Sequence, residues 1–251
     1  MLGFNLRQAL LYSFTPNRLG FCGPQDNKSG KIIFDYLANK KEKEDKIIKK
    51  ILKNFQGVYL YCRLIAKKNR IKDPFDSRVL EAYWIGNSLL EKITFSDLKN
   101  LISSEFVGPK LLTKNKALNI VNKIPEGVLP HHSFHVLFIG SITGSIILKG
   151  KLLNLCRISW GRVKRIKNNG ANKQEKQIIV QYRPLAIKNK KIYLGKIKNK
   201  EILWDSKFLP ELKAGDAVSF HWNFVCGILS GSQRKNLEKY TKRNLRLLKY
   251  Q

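Results

Sequence analysis

The stretch "LKAGDAVSFHWNFVCGIL", residues 212–229, decides the fold of this chain. It opens with a charged turn at Gly215-Asp216 and continues as an apolar run rich in Val and Phe. Such a run after a turn is typical of a strand in a small β-barrel. The run also carries His221 and Cys226 among aromatic residues. His221 could therefore be a packed core residue, a neighbour of stacked RNA bases or a metal ligand.

Outward from this stretch, short runs rich in Ile, Val and Phe follow one another from about residue 129, with Gly and Asn between them. They are "SFHVLFIGS", "GSIILKG", "CRISWGRVKRI", "KQIIVQYRPLAI" and "KKIYLGKI". Several short strands with close turns predict a barrel. Residues 233–249 place Leu and Tyr along one side at helical spacing, which predicts a basic closing helix. We therefore expect residues 129–251 to form a small OB-like β-barrel with a C-terminal helix.

The first half of the chain has helical periodicity. Residues 43–69 repeat apolar positions at three- and four-residue steps, which predicts one long helix interrupted only by Gly57. A second helix is expected within 73–93, capped by Asp76 or Ser77, and a short one over 113–125. The predicted class is therefore α+β, with a mainly α-helical domain over residues 1–128 in front of the barrel.

The composition limits the classes of function. The chain has 251 residues, 48 Lys+Arg against 18 Asp+Glu, and a formal net charge of +30, so it should attract polyanions. A codon bias that favours Lys, Ile and Asn is the alternative explanation. The four cysteines form no CxxC pair, which excludes a zinc ribbon. No secretory pattern is recognisable, and the longest apolar run, residues 134–148, is too short for a membrane span. We expect a cytoplasmic protein with reduced thiols.

Two segments of the first half carry candidate ligands. Cys22 lies in the loop-like stretch "FTPNRLGFCGPQD" (14–26), where an accessible thiol could be a ligand, a nucleophile or part of a turn. The stretch "LPHHSFHV" (129–136) places His131 and His135 on one face, whether it is a strand or a helical turn. Two imidazoles on one face can converge on a cation. The segment could equally be a polar junction between domains.

The barrel region resembles the hydrogenase accessory chaperones called HypC or HupF. That family has a cysteine followed five residues later by Gly and seven later by Val, and then a Gly-Asp turn with Val, His, Phe and Leu at fixed distances. The matching residues here are Cys156, Gly161, Val163, Gly215, Asp216, Val218, His221, Phe224 and Leu229. The similarity covers about residues 153–249. The whole chain, with "FTPNRLGFCGP", "DSRVLEAYWIGN" and "LPHHSFHV", also resembles an uncharacterised bacterial family associated with [NiFe] hydrogenase gene clusters.

The resemblance implies a function without catalysis. Cys156 and His221, both expected on barrel strands, would help to hold iron that bears cyanide and carbon monoxide. The partners would be a HypD-type assembly protein and the hydrogenase large subunit. Cys22, His131 and His135 would complete or shield this site. A thiolate with an imidazole is a reasonable ligand pair for low-spin iron.

Three other interpretations stay open from the sequence. Cys156 and His221 could be ordinary core residues. The chain could be a thiol enzyme that uses Cys22 with a histidine of the 131–135 cluster, although no nucleophile motif surrounds Cys22. The barrel could instead bind nucleic acid. Its stacking residues would be Trp160, Trp222, Tyr182, Tyr193 and Phe220, and its phosphate contacts Arg162, Arg165, Arg157 and Lys164.

Overall fold

The structure is a computed structural model that describes residues 4–39, 44–109, 111–167, 175–189 and 191–248. Within these ranges the α-helices come first, the β-strands follow, and a helix ends the chain. The predicted α+β class, with a helical first part, a β-barrel and a closing helix, is confirmed.

Several helices begin at side-chain caps. The Asp76 carboxylate, one of the two cap candidates of the sequence, accepts a hydrogen bond from the Arg78 backbone N–H, and Ser230 forms a capping box with Gln233. The α-helices are α1 (Leu6–Arg18), α2 (Asn27–Asn39), α3 (Asp45–Leu52), α4 (Gln56–Lys68), α5 (Ser77–Trp84), α6 (Phe95–Asn100), α7 (Lys114–Lys123), α8 (His132–Phe134), α9 (Lys151–Cys156) and α10 (Gly231–Leu247). Shorter 3-10 or π-helical turns cover Ser88–Lys92, Leu101–Glu105 and His135–Ile139. Among the helices of the described ranges, none has the length and apolar character that a bilayer crossing requires.

Five strands form a closed barrel in the order β1-β2-β5-β7-β6. The strands are β1 (Ser159–Lys167), β2 (Glu175–Tyr182), β3 (Leu185–Lys188), β4 (Lys191–Leu194), β5 (Lys198–Asp205), β6 (Ala217–His221) and β7 (Phe224–Ile228). The barrel closes through antiparallel pairing of β1 with β6, and β5 pairs with β7 in parallel. Strands β3 and β4 form a separate hairpin outside the barrel.

The barrel interior is filled by apolar side chains that alternate along each strand. On β6, Val218 and Phe220 belong to this interior, whereas Ser219 and His221 point to the helical part. The remaining interior residues are Val163, Ile178, Val180, Tyr182, Ile202, Trp204, Leu212 and Val225. The barrel thus presents one strand, β6, with an apolar inner face and a polar outer face.

A two-residue turn joins β6 to β7. Trp222 and Asn223 both have positive φ, 50° and 61°, which matches a type I′ hairpin turn. The alternation of strand residues ends at this turn, so Trp222 is not a strand residue and its orientation is set by the turn. Its side chain is buried and packs on Phe21, with ring centroids 4.8 Å apart.

A second apolar core lies in the helical part and extends across the predicted domain boundary at 128/129. It contains Leu10 of α1, Phe224 and Cys226 of β7, and Leu237 and Tyr240 of α10. Helix α10 buries Leu237 and Tyr240, which lie on the Leu and Tyr side that the sequence predicted, together with Thr241 and Asn244.

Several predicted elements differ from the structure. The helix expected over 43–69 is two helices, α3 and α4, because the chain turns at residues 53–55 to bury Phe55. Gly57 lies inside the first turn of α4 and does not interrupt it.

The two strands expected within residues 133–150 are wrong. The first segment is helical because it packs its apolar residues against the helical core, and the second has no regular secondary structure. Cys156 is not on a strand either: it is the last residue of α9, and β1 begins at Ser159.

Candidate metal centre

The outer face of β6 fixes the orientation of His221. The His221 Nδ1–H donates to the carbonyl oxygen of Tyr12, at 2.7 Å. A carbonyl can only accept, so the single proton of the neutral ring lies on Nδ1 and a lone pair lies on Nε2. That Nε2 atom is buried and has no hydrogen-bond partner among the described residues. An orphaned buried lone pair is an unusual and costly feature, and it is what a metal ligand presents.

The short helix α8 brings a second imidazole to the same place. His131 precedes it as the N-cap, and its Nδ1 accepts a hydrogen bond from the Ser133 backbone N–H. The cap turns the His131 ring away, against Tyr240 at a centroid distance of 6.3 Å. The next residue, His132, faces His221 instead, with their ring centroids 5.1 Å apart.

The hydrogen bonds around His132 assign its protons. The Tyr83 hydroxyl lies 2.5 Å from the Gly57 carbonyl oxygen and 3.1 Å from His132 Nδ1. On the other side of the ring, His132 Nε2 lies 3.0 Å from the Cys156 carbonyl oxygen, which can only accept, so the ring proton lies on Nε2. Burial, followed by the neighbouring His221 and His135, lowers the pKa of His132 well below its ordinary value, so the ring is neutral.

The single proton of the neutral His132 ring therefore lies between Nε2 and the Cys156 carbonyl oxygen. A metal ion at Nε2 would displace this proton, whereas His221 already presents an unprotonated Nε2. The two rings belong to the same group, but only that of His221 is preset as a ligand.

Cys156 completes the group. One ligand atom each from His132, Cys156 and His221 lie within 4.8 Å of one another, and this group could hold a metal ion. Burial raises the pKa of the Cys156 thiol to about 12, and the Cys22 thiol adds to this, whereas the Trp222 indole acts in the opposite direction. The thiol is therefore neutral until a cation displaces its proton, which couples metal binding to proton release.

A cavity of about 110 Å³ connects this group with two other predicted ligands. Cys22, in the loop between α1 and α2, lines it, and burial raises the pKa of its thiol to about 12. His135 also lines it, 6.2 Å from His132 between ring centroids, with a pKa lowered by burial to about 4. Both lie at the cavity wall, outside the three-residue group.

The donor set determines which cations fit. One thiolate and two imidazoles suit borderline or soft divalent ions such as zinc and iron, and they suit magnesium and calcium poorly. Three protein ligands leave further coordination positions open toward the cavity, as in metal sites that exchange ligands. The residues present therefore fit a transition metal.

A family model matches residues 8–251 of the sequence. The chain belongs to DUF6390, a family of unknown function. No curated protein matches the sequence, and no solved structure matches the fold.

Of the five metal candidates chosen from the sequence of this DUF6390 member, the structure brings Cys156 and His221 into contact range. Cys22 and His135 border the same cavity, and His131 is turned away from it. His132 was missed because both faces considered for the segment paired His131 with His135. The signal that could have found it is the capping position of His131 after Pro130, which starts a helical turn and puts His132 and His135 on one face at i, i+3.

Most of the residues proposed for nucleic-acid binding are buried or already contact other groups of the protein. Trp222 is 8% exposed and lines the metal cavity, and Phe220 is 2% exposed inside the barrel. Trp160 is half-buried beneath the Arg157 guanidinium, and Arg162 donates a hydrogen bond to the Gly215 carbonyl oxygen at 2.7 Å. Tyr182 is buried, whereas Arg165, Lys164 and Tyr193 are exposed.

Proposed function

We propose that this chain is an accessory protein of [NiFe] hydrogenase metallocentre assembly that carries an iron fragment on Cys156, His132 and His221. The observation that carries the proposal is the convergence of these three ligand atoms within 4.8 Å, with the His221 ring already oriented through its Nδ1 atom. An imidazole whose second nitrogen is preset matches a binding site more closely than a packed core.

The choice of iron rests on the ligand chemistry together with the resemblance to HypC proteins. A thiolate donates electron density to low-spin iron, and imidazole ligands complete a strong-field set. The cavity beside the group is about 110 Å³. That space suits an iron atom with diatomic ligands such as cyanide and carbon monoxide, which are the cargo in this proposal. The receiving partners would be a HypD-type protein and the hydrogenase large subunit.

The test is infrared spectroscopy with iron analysis on protein made anaerobically together with hydrogenase assembly partners. The wild-type chain should contain iron and show cyanide and carbon monoxide bands. Cys156→Ser and His221→Ala should lose both, because each removes one ligand. Cys226→Ala is the matched control, since this buried thiol lies on β7 with its sulfur directed at the carbonyl oxygens of Leu11 and Phe224. The control should keep iron and bands.

Two outcomes separate the parts of the proposal. Iron without the bands would support a metal site but contradict the fragment cargo. Wild-type protein that lacks iron, under conditions in which a HypC protein binds iron, would contradict the carrier function altogether.

The formal net charge of +30 keeps nucleic-acid binding as a second candidate. Exposed Lys164 and Arg165 on β1 could contact phosphates, but the buried tryptophan of the β6–β7 turn offers no stacking surface. Filter binding of RNA over a range of salt concentrations tests it. An affinity that falls steeply with salt and drops in the Lys164→Glu/Arg165→Glu double variant would support this candidate.

A further inference from the structure

A fully buried guanidinium lies next to the metal centre along the chain. The Arg157 side chain is 1% exposed, and its Nη2 donates to the Arg183 carbonyl oxygen at 3.0 Å and to Asn154 Oδ1 at 3.4 Å. Its Nε–H is buried, and none of the residues that the structure describes accepts a hydrogen bond from it. In the described part of the chain, no ion pair involves Arg157. Buried charges are almost always paired, so a cation without a carboxylate indicates that an anion belongs nearby.

A second cation lies beside the first one. Lys200 of β5 is half-buried, and its ammonium stands over the Tyr182 ring at 5.6 Å from the centroid. Burial, followed by the positive charge of Arg157, lowers the pKa of Lys200. The described residues give Lys200 no acidic partner either. Two neighbouring cations that destabilise each other would both be stabilised by one anion.

An open cavity of about 500 Å³ begins at Lys200. It lies between helix α9 and the β3–β4 hairpin, and its polar lining is Lys151, Asn154 and Lys200. Asn154 ties the two walls together, because its Oδ1 accepts from the Leu185 backbone N–H at 3.0 Å. The remaining lining is mainly apolar: Leu153, Leu155, Leu185, Ile187 and Ile192. A volume of this size with apolar walls and a few convergent polar groups is typical of a small-molecule site.

We infer that this cavity binds a small organic anion with an apolar body and a carboxylate or phosphate head. The head lies at the Lys200 ammonium, in the positive field of Arg157, with Lys151 at the cavity mouth. The body packs on the apolar side chains of α9 and of the hairpin. This site is separate from the metal cavity, although α9 lines the one and ends at Cys156 in the other.

Isothermal titration calorimetry on the full chain tests the inference with four probes. Octanoate and phenyl phosphate carry both parts of the expected ligand, inorganic phosphate carries the head alone, and phenol carries the body alone. At least one of the first two should bind roughly tenfold more tightly than either part alone, because head and body contribute together.

Three variants locate the binding. Lys200→Ala should weaken it roughly tenfold, which corresponds to one charge-assisted contact. Ile187→Glu, at a half-exposed position of the wall, should weaken it comparably by repulsion without disturbing the core. Lys198→Ala removes the same charge from an exposed position of the same strand and should leave the affinity unchanged.

The inference is wrong if phenol binds as tightly as the anionic probes, or if no probe binds at millimolar concentration. It is equally wrong if Lys200→Ala and Lys198→Ala weaken binding to the same extent, since the anion would then be held only by the general positive charge of the surface.

Discussion

Successive side chains of strand β6 point to opposite faces, and the two faces differ in chemistry. The inner face carries Val218 and Phe220, which meet only other barrel residues in an apolar interior. The outer face carries Ser219 and His221, which form hydrogen bonds to Tyr12 of helix α1. The inner face contributes to the barrel core alone, whereas the outer face contacts the helical part, where the candidate ligands converge.

The largest expected effect is that of acid pH on the stability of the fold. Burial lowers the pKa of His131 to about 3, of His135 and His221 to about 4, and of His132 well below its ordinary value of 6.5. Histidines whose pKa is lowered in the folded state bind protons more readily when the chain is unfolded. They therefore stabilise the fold above pH 6.5 and destabilise it as pH falls from 6.5 toward 4. Each histidine should remove roughly 1 kcal/mol of unfolding free energy per pH unit in that window.

Calorimetric unfolding at pH 5.5 in buffers of different ionisation enthalpy measures this linkage. We expect an uptake of about four protons on unfolding, because the chain has four histidines. An uptake near zero would mean that the outer face of β6 and its neighbours are solvated, and the contrast between the two faces would disappear.

Truncation of the inner face should have the next largest effect. Phe220→Ala should lower the free energy of unfolding by roughly 3–5 kcal/mol, because it leaves a cavity in the barrel interior. His221→Ala is the matched change on the outer face, and it should cost much less stability while it abolishes metal binding. Urea unfolding with metal analysis checks both variants. Equal losses of stability in the two variants would contradict the idea that the inner face stabilises the barrel and the outer face binds metal.

The orientation of His132 provides a smaller and more specific test. Tyr83→Phe removes the hydroxyl that faces His132 Nδ1 and donates to the Gly57 carbonyl oxygen, so the affinity for a divalent metal should fall roughly 10–100-fold. Tyr61→Phe is the control, because the Tyr61 hydroxyl lies 3.4 Å from His135 Nδ1 and not beside His132. Competition titration with cobalt(II), whose absorption reports thiolate coordination, measures both. An unchanged affinity in Tyr83→Phe would contradict a role of this hydroxyl in orienting His132.

The smallest expected effect concerns the contact between the barrel and α1. The Tyr12 and Ser219 hydroxyl groups lie 2.6 Å apart in a buried position. A double-mutant cycle of Tyr12→Phe and Ser219→Ala should give a coupling energy of about 1 kcal/mol in urea unfolding. A coupling of zero would show that the outer face contributes nothing to the attachment of the helical part.

Local patterns predicted much of the fold. The cap at Asp76, the buried face of α10 and the alternation in the barrel strands depend on neighbouring residues, and all are present. The segment from residue 133 to 150 was misread because its β-branched residues favour strands, whereas its contacts with the helical core determine its conformation.

The site was harder to predict than the fold, for a physical reason. Cys156 and His221 could be chosen from a spacing pattern in one region of the chain. His132 joins them because His131 caps a helical turn and because Tyr83, almost 50 residues away, contacts the His132 ring. A contact among residues of three separate elements cannot be predicted from the local sequence of any one of them.

The β6–β7 turn shows what the site requires of the backbone. A type I′ turn favours Asn-Gly, yet a tryptophan occupies its first position at a positive φ, which costs roughly 1–2 kcal/mol in a residue other than glycine. The indole of Trp222 forms a wall of the cavity beside Cys156 and packs on Phe21. Truncation of a buried tryptophan costs roughly 3–5 kcal/mol, which exceeds the strain, so Trp222→Gly should lower the free energy of unfolding although it relaxes the backbone. The side chain that lines the cavity is thus also what holds its own turn in an unfavourable conformation.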